Sequence, residues 1–295
     1  MAGNSKRRAL ARSRSTISVA VALGVLATGL AGSASPPSAG GGLSELVVAT
    51  SPGRVAAMAL ATERLGGVVT SEMPNVDVFV ASVPNDSIDD LAALSDVVSL
   101  SPNMTVDVKF AAPQQQAGPG AVAPSAVVAD AVNADQLWGS GITGARVDVA
   151  VIDSCVAPVA GLEGNVVNGP DFSEEGGVEH LAGLDGLGHG THMAGIIAGS
   201  DPASGTQGMA PGARIVNVKV AAHDGHTTME SVIQALDWVV QQKKSKVYNI
   251  RVVNLSFGVE GITEYVGDPL SIAVESAWKA GIVVVVSAGN DGTVA

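Results

Sequence analysis

One histidine of this sequence, His189, stands in a context suited to acid–base chemistry. It lies between Gly188 and Gly190, and the small residues and two isoleucines that follow predict a loop turning into a tightly packed helix. At a helix N-terminus, free backbone N–H groups and the positive end of the dipole disfavour an imidazolium ion. We therefore expect His189 to be neutral at about pH 7 and able to accept a proton, given an acid that orients it and a nucleophile.

Asp153 is the candidate for the orienting acid. The apolar run at 146–152 predicts a buried strand of a parallel sheet that ends at Asp153. Open α/β sheets carry their chemistry at the carboxyl ends of their strands. An aspartate in that place often only forms a turn, so its role depends on partners elsewhere in the sequence.

Two other interpretations of the histidine stretch fit less well. His189 and His192 are three residues apart, as helical metal ligands can be, but a third ligand and the glutamate of an H-E-x-x-H zinc site are missing. The glycine-rich stretch 186–190 follows neither the dinucleotide pattern nor the phosphate-loop pattern with its lysine. The residues therefore favour a base in a catalytic site.

Three motifs, taken together and in this order, resemble the subtilisin-like serine peptidases, or subtilases. They are Val151-Ile152-Asp153-Ser154, His189-Gly190-Thr191-His192-x-Ala194-Gly195 and Ser287-Ala288-Gly289-Asn290-Asp291-Gly292. The resemblance implies an endopeptidase that hydrolyses peptide bonds with a Ser-His-Asp triad. In that triad Asp153 accepts the imidazole N–H, while His189 takes the proton of the nucleophile and returns it to the leaving amine.

The resemblance also implies further site residues. Asn290 would donate its amide to the developing oxyanion. Ser256, Phe257 and Gly258 would pair with the substrate backbone like an added strand, and the segment 221–223 is similar to the one opposite.

The nucleophile has no counterpart in the 295 residues. No stretch resembles the family's Gly-Thr-Ser-x-Ala element, and the sequence stops five residues after Asn290. Two explanations stay open: a fragment of a longer peptidase, or a truncated product that cannot form an acyl-enzyme. In both cases we expect the chain alone to be inactive and, with an uncovered edge of its sheet, poorly soluble.

The elements that must position these residues form an α/β pattern. Between residues 125 and 295, predicted strands at 146–154, 214–221, 251–257 and 282–286 alternate with helices that begin near 189, 227 and 268, after a first helix at 130–139. This alternation predicts a doubly wound parallel sheet, subtilisin-like and incomplete at the C-terminus. The strand ends would then bring the motif residues to one edge of the sheet.

A small α+β domain is predicted before the catalytic part, at 45–110. Its order is βαββαβ, closed by a strand at 97–108, and it resembles the propeptide that precedes subtilase catalytic domains. The resemblance implies that it acts as an intramolecular inhibitor after self-cleavage in the exposed linker 111–124. Without that context it is a generic α+β module.

The N-terminus predicts export. Residues 1–34 combine a basic start, an uncharged apolar run at 17–32 and small residues for a signal peptidase, followed by a linker at 35–44. We expect a secreted, extracellular protein without stable membrane association after signal cleavage; an uncleaved anchor is the alternative.

The net charge of the chain, −12, argues against nucleic acid as a partner, which leaves peptide or protein substrates.

Two positions depart from the family. Cys155, the single cysteine, stands where subtilases have glycine after Asp-Ser, so we expect backbone strain beside Asp153. The loop 200–206 offers few side-chain oxygens, so no metal ligands are assigned. It does not support a structural calcium ion, although backbone carbonyl ligands leave one open. The chemistry itself implies no cofactor. The alternative to a secreted endopeptidase is a non-catalytic exported protein with an inhibitor-like or chaperone-like domain and a degenerate peptidase domain.

Overall fold

The computed structural model describes residues 42–108, 129–181, 183–203, 205–256, 265 and 267–288. The predicted signal peptide, the linker 111–124, and Phe257, Gly258 and Asn290 lie outside these residues. No helix within them is long and apolar enough to span a bilayer.

The N-terminal domain is an antiparallel sheet with two helices, in the predicted βαββαβ order. Its elements are β1 (Leu43–Thr50), α1 (Val55–Arg64), β2 (Val68–Met73), β3 (Val78–Pro84), α2 (Ile88–Ala92) and β4 (Val97–Pro102). The strand order is β2-β3-β1-β4.

Both faces of this sheet are buried, as the apolar residues at successive positions of β1 require. Leu46 and Val48 face α1 and α2, in a cluster that includes Phe79. Val47 and Ala49 point to the opposite face and belong to the main core of the chain. The N-terminal sheet therefore lies between its own helices and the rest of the protein.

The prediction of a single strand at 97–108 is wrong. It divides into β4 and a separate β5 (Thr105–Asp107), with Pro102 and Asn103 at the break. β5 leaves the N-terminal sheet and pairs antiparallel with β11 (His226–Thr228). Asn103 N still donates to Glu45 O of β1 at 3.3 Å, so pairing with β1 ends just after Pro102.

The predicted doubly wound α/β fold is confirmed in the second half of the chain. The elements here are α3 (Ala134–Gly139), β6 (Asp148–Asp153), β7 (Val166–Asp171), α4 (His189–Ala198), β8 (Ser200–Asp201), β9 (Thr206–Gln207), β10 (Arg214–Lys219), α5 (Met229–Ser245), β12 (Ile250–Leu255), α6 (Pro269–Lys279) and β13 (Val283–Val286). Five of these strands form a parallel sheet in the order β13-β12-β6-β10-β7.

The central strand β6 shows how the sheet is covered on both sides. Ala150 and Ile152 pack towards α5 and α6, whereas Val149 and Val151 pack towards α4. A strand buried on both faces needs the continuous apolar run seen in this sequence. Its last residue, Asp153, is fully buried at the carboxyl edge.

Capping residues explain where the two long helices begin. The Thr228 side chain accepts a hydrogen bond from Ser231 N at the start of α5, and Asp268 accepts one from Ser271 N at the start of α6.

Helix α3 is shorter than the helix predicted at 130–139. Asn133 adopts a left-handed φ of 56°, and a helix cannot continue through this conformation.

The edge strand β13 leaves apolar side chains uncovered. Within the described residues it pairs with β12 only, and the Val283, Val285 and Val286 side chains are exposed. Such an edge favours association with other chains, in line with the poor solubility expected above.

Candidate active site

The structure brings Asp153 and His189 into direct contact. Asp153 ends β6 and His189 is the first residue of α4, with 8% of its surface exposed. The His189 Nδ1 atom lies 2.7 Å from Asp153 Oδ1, which also accepts a hydrogen bond from Ser154 N at 2.7 Å. Asp153 Oδ2 is buried and has no hydrogen-bond partner among the described residues. This geometry suits an acid that orients an imidazole.

A second carboxylate, Asp185, holds the two segments of this pair together. It accepts hydrogen bonds from Ser154 Oγ and Gly188 N, both at 2.8 Å, and from Thr191 N at 2.9 Å and Thr191 Oγ1. Ser154 Oγ in turn accepts one from Gly190 N at 3.1 Å. The end of β6 and the start of α4 are therefore linked by side chains on both sides of the Asp153–His189 contact.

Close backbone approach at Gly190 completes the link. A Cβ atom at this position would lie 2.0 Å from the Cys155 carbonyl oxygen and 3.1 Å from Asp153 Cβ. Only glycine allows α4 to begin this close to β6.

Cys155 shows the backbone conformation expected from the sequence. Its φ is 128°, a region that residues with a side chain rarely adopt. The side chain is buried, Sγ accepts a hydrogen bond from Asn217 Nδ2 at 3.3 Å, and burial raises the pKa of the thiol. The thiol therefore stays protonated at neutral pH, and its main effect on the site is strain.

Replacing Cys155 by glycine is expected to raise the free energy of unfolding by about 1 kcal/mol, because the relief of strain outweighs the loss of a buried thiol. Urea denaturation measures the change. Cys155→Ala is the matched control, since it removes the thiol but keeps the Cβ atom. An alanine variant as stable as the glycine variant would show that φ at this residue costs nothing.

A buried ionic cluster lies at the ends of β7 and β10. The Lys219 Nζ atom is 2.6 Å from Glu175 Oε2, and the other Glu175 oxygen accepts a hydrogen bond from His223 N at 3.0 Å and lies 2.7 Å from His223 Nδ1. Burial alone would raise the pKa of Glu175, but the hydrogen bonds from Lys219 and His223 outweigh it and lower the pKa to about 2. Glu175 is therefore ionised throughout the neutral range.

This low pKa predicts sensitivity to acid. The pKa of Glu175 is lower in the folded protein than its ordinary value of 4.5, so its carboxylate stabilises the fold above about pH 4.5 and loses that effect as the pH falls towards 2. We expect Glu175→Gln to be less stable at neutral pH but to lose less stability in acid. Urea denaturation across this pH range, compared with the unaltered chain, checks the difference in slope; identical slopes would contradict it.

Among the predicted substrate-binding residues, the structure describes Ser256. It follows Leu255, whose register partner on β6 is Ile152, so it lies at the same sheet edge as Asp153. Its Oγ accepts a hydrogen bond from Asn254 Nδ2 at 2.7 Å. Phe257, Gly258 and Asn290 lie outside the described residues, and their roles stay predictions.

The predicted segment 221–223, whose role stays a prediction, leads into strand β11. This strand pairs with β5 from Thr105↔Thr228 to Asp107↔His226, and Val108 N donates to Gly225 O at 2.9 Å. A Cβ atom at Gly225 would lie 2.8 Å from Val108 O and 3.3 Å from Leu187 Cδ2. The end of this pairing is therefore close to the loop that leads to His189.

No group of three or more histidine, cysteine, aspartate or glutamate side chains in the described ranges could hold a metal ion. In the described part of the loop 200–206, Asp201 Oδ1 accepts a hydrogen bond from Ala203 N at 3.0 Å. Whether this loop binds a structural calcium ion, as the sequence analysis leaves open, is not tested by these contacts.

Comparison with known proteins decides the family. The model of the subtilase peptidase family matches residues 144–294, just over half of the 295-residue chain. The chain belongs to the subtilase family. This assignment covers the sheet edge with Asp153 and His189, and subtilases need no cofactor for catalysis.

The subtilase is similar to several bacterial peptidases. It is 36% identical over 159 residues to serine protease AprX of Bacillus subtilis, covering 52% of this chain and 35% of that one. It is 35% identical over 156 residues to subtilisin BL of Lederbergia lenta, with 52% and 51% covered. The chain thus spans between a third and a half of the length of these two relatives.

A solved structure shows the same fold. Fervidolysin from Fervidobacterium pennivorans, described as a keratinolytic enzyme related to subtilisin, matches with a TM-score of 0.59 at 22% identity. The match covers 86% of the subtilase chain and 41% of fervidolysin.

Three residues of the site escaped the sequence analysis: Asp185, Glu175 and Lys219. A lysine inside the predicted buried strand 214–221 was a signal for Lys219, since such a side chain is rarely buried without a partner. Asp185 and Glu175 lie in segments without helical or strand periodicity, so their sequence context gave no comparable signal.

Proposed function

We propose that this subtilase chain is part of a secreted serine endopeptidase whose nucleophilic serine is not among its 295 residues. The observation that carries the proposal is the 2.7 Å contact between Asp153 Oδ1 and His189 Nδ1 at the carboxyl edge of the parallel sheet. Export rests on the sequence of residues 1–34 alone.

The contact assigns a role to each ring nitrogen of His189. With Nδ1–H donating to Asp153, the lone pair is on Nε2, the atom that takes the proton of a serine hydroxyl as it attacks a peptide carbonyl. The imidazolium formed in this step is stabilised by Asp153 and then protonates the leaving amine. Asn290 would donate to the oxyanion.

The N-terminal domain is proposed to inhibit this site in the same chain. β5 adds to β11 as an antiparallel strand, as an extended peptide substrate would, and leads towards the loop that precedes His189. Val106 and Val108 are both buried, which fits side chains that fill two pockets beside β11.

Polar contacts to α5 support this docking. Asn75 N and Nδ2 donate to the two carboxylate oxygens of Asp237 at 2.6 and 3.1 Å. Asn103 Oδ1 accepts a hydrogen bond from Glu230 N at 3.1 Å, and Asn103 Nδ2 donates to Glu230 Oε2 at 3.3 Å. These contacts fix the domain on one helix, next to the apolar layer that it shares with the core.

Proton NMR of the 295-residue chain tests the dyad without a nucleophile. A strongly downfield Nδ1–H signal is expected for His189 and should disappear in Asp153→Ala. His192→Gln is the control, because it alters a histidine one turn along the same helix. Absence of the signal in the unaltered chain would contradict the proposed dyad.

Hydrolysis tests the reaction. The 295-residue chain should not cleave casein, whereas the coding frame continued through a Gly-Thr-Ser element should yield an activity that His189→Ala abolishes. Casein cleavage by the shorter chain, or activity that survives His189→Ala, would overturn the assignment.

A further inference from the structure

Lys219 is a buried charged residue that has no role in the proposed Asp153–His189 dyad. It ends β10 next to Asp153, its register partner on β6, and only 3% of its surface is exposed. Its Nζ atom donates to Glu175 Oε2 at 2.6 Å and to the Leu184 carbonyl oxygen at 3.2 Å, and lies 4.0 Å from Asp171 Oδ2. One ammonium group thus links two points of the connection between β7 and α4, at Glu175 and at Leu184.

The other end of this connection is His223, in the turn between β10 and β11. Glu175 Oε1 accepts a hydrogen bond from His223 N and lies 2.7 Å from His223 Nδ1. A Cβ atom at Gly186 would lie 2.7 Å from His223 Cβ, so this turn packs on the chain three residues before His189. The two oxygens of Glu175 therefore join the β11 turn to a lysine that anchors the loop of His189.

We infer that Glu175 is a positioning residue that, with Lys219, holds strand β11 at a fixed place relative to His189. The inference rests on the proposed function, in which β11 receives the extended peptide and β5 occupies that place in this chain. Glu175 touches neither the reacting atoms nor the peptide. It acts through His223, whose turn leads into β11.

The chemistry of the pair explains why a charged cluster suits this place. Burying an ammonium and a carboxylate is energetically costly, so apolar residues of similar size would serve a purely structural role as well. Only a carboxylate offers two acceptor oxygens in a fixed plane, here directed at two different segments. The pair thus fixes the direction and the distance between the connection that precedes α4 and the turn that precedes β11.

Amide hydrogen exchange in the full 295-residue chain tests the inference. Val108 N and Ala222 N report on the β5–β11 region, because they donate to Gly225 O and His226 O; Ile215 N, which donates to Asn165 O, reports on the main sheet. In Glu175→Gln we expect exchange at Val108 and Ala222 to become at least about tenfold faster, with Ile215 changing far less.

The variant His223→Ala tests the same inference if Glu175→Gln fails to fold. It leaves the Lys219–Glu175 pair intact, and the His223 side chain is 70% exposed, so the fold should survive. Exchange at Val108 should become faster in this variant, and His223→Gln, which retains a side-chain N–H donor, should restore it in part.

Asp148→Asn is the structural control. It weakens another ion pair, Arg214–Asp148, at the opposite end of β6, so it should lower stability without a selective effect on Val108. If His223→Ala leaves exchange at Val108 unchanged, or if Glu175→Gln raises it no more selectively than Asp148→Asn does, the inference is wrong.

The downfield signal of His189 separates this failure from that of the proposed function. Its absence in the unaltered chain would contradict the dyad and, with it, the inference. Its presence, together with unchanged exchange at Val108 in His223→Ala, would leave the dyad standing and overturn the positioning role alone.

Discussion

Replacing Gly190 by alanine is expected to destabilise the chain by about 3 kcal/mol and to separate His189 from Asp153. The added Cβ would lie 2.0 Å from the Cys155 carbonyl oxygen, which is backbone and cannot turn away as a side chain could. Relief requires α4 to move away from β6, and this breaks the contact that orients the imidazole. Urea denaturation measures the first effect and the downfield signal of His189 the second.

Gly195→Ala is the matched control for this variant. It lies in the same helix, and apart from its neighbours and the backbone of that helix, a Cβ atom there meets no atom of the described residues within 4 Å. Because alanine favours the helix more than glycine does, we expect a gain of about 0.5–1 kcal/mol. Similar behaviour of the two variants would show that the close approach at Gly190 does not limit the position of the helix.

Replacing Val106 by aspartate is expected to release β5 from β11. Val106 is 2% exposed and belongs to the main core, so a carboxylate there would be buried without a partner. Because β5 is a strand of three residues, its undocking is the least costly response. We expect exchange of the Val108 amide to accelerate about 100-fold or more.

Val98→Asp provides the comparison on the neighbouring strand β4. This side chain is 52% exposed, so the same substitution should leave exchange at Val108 nearly unchanged. Retained protection at Val108 in Val106→Asp would contradict the proposed docking of β5 as an inhibitory strand.

Strands with a continuous apolar pattern were predictable from the sequence, the edge strand β13 among them, and strands with an interrupted pattern were not. β6 follows from its uninterrupted run up to Asp153. β7 was missed because Asn168, Gly169 and Pro170 interrupt its pattern, which an edge strand tolerates and a central strand does not. The separation of β5 from β4 depends on its partner β11 about 120 residues away, which local periodicity cannot reveal.

The same division applies to the candidate site. The contact between Asp153 and His189 could be expected, because a strand end and a helix start at one sheet edge predict it. The supporting contacts could not, since Asp185 reaches back 31 residues to Ser154, and Glu175 reaches forward 44 residues to Lys219. Such contacts depend on where loops lie in space.

The apolar layer shared by the N-terminal sheet and helices α5 and α6 has a consequence for processing. A cut in the linker 111–124 would break a covalent bond and leave that layer buried. The products would then be a noncovalent pair whose separation depends on dilution, with a rate set by dissociation and not by the cut. Under the proposed inhibition, activation would therefore follow the dissociation of this pair and not the cut itself.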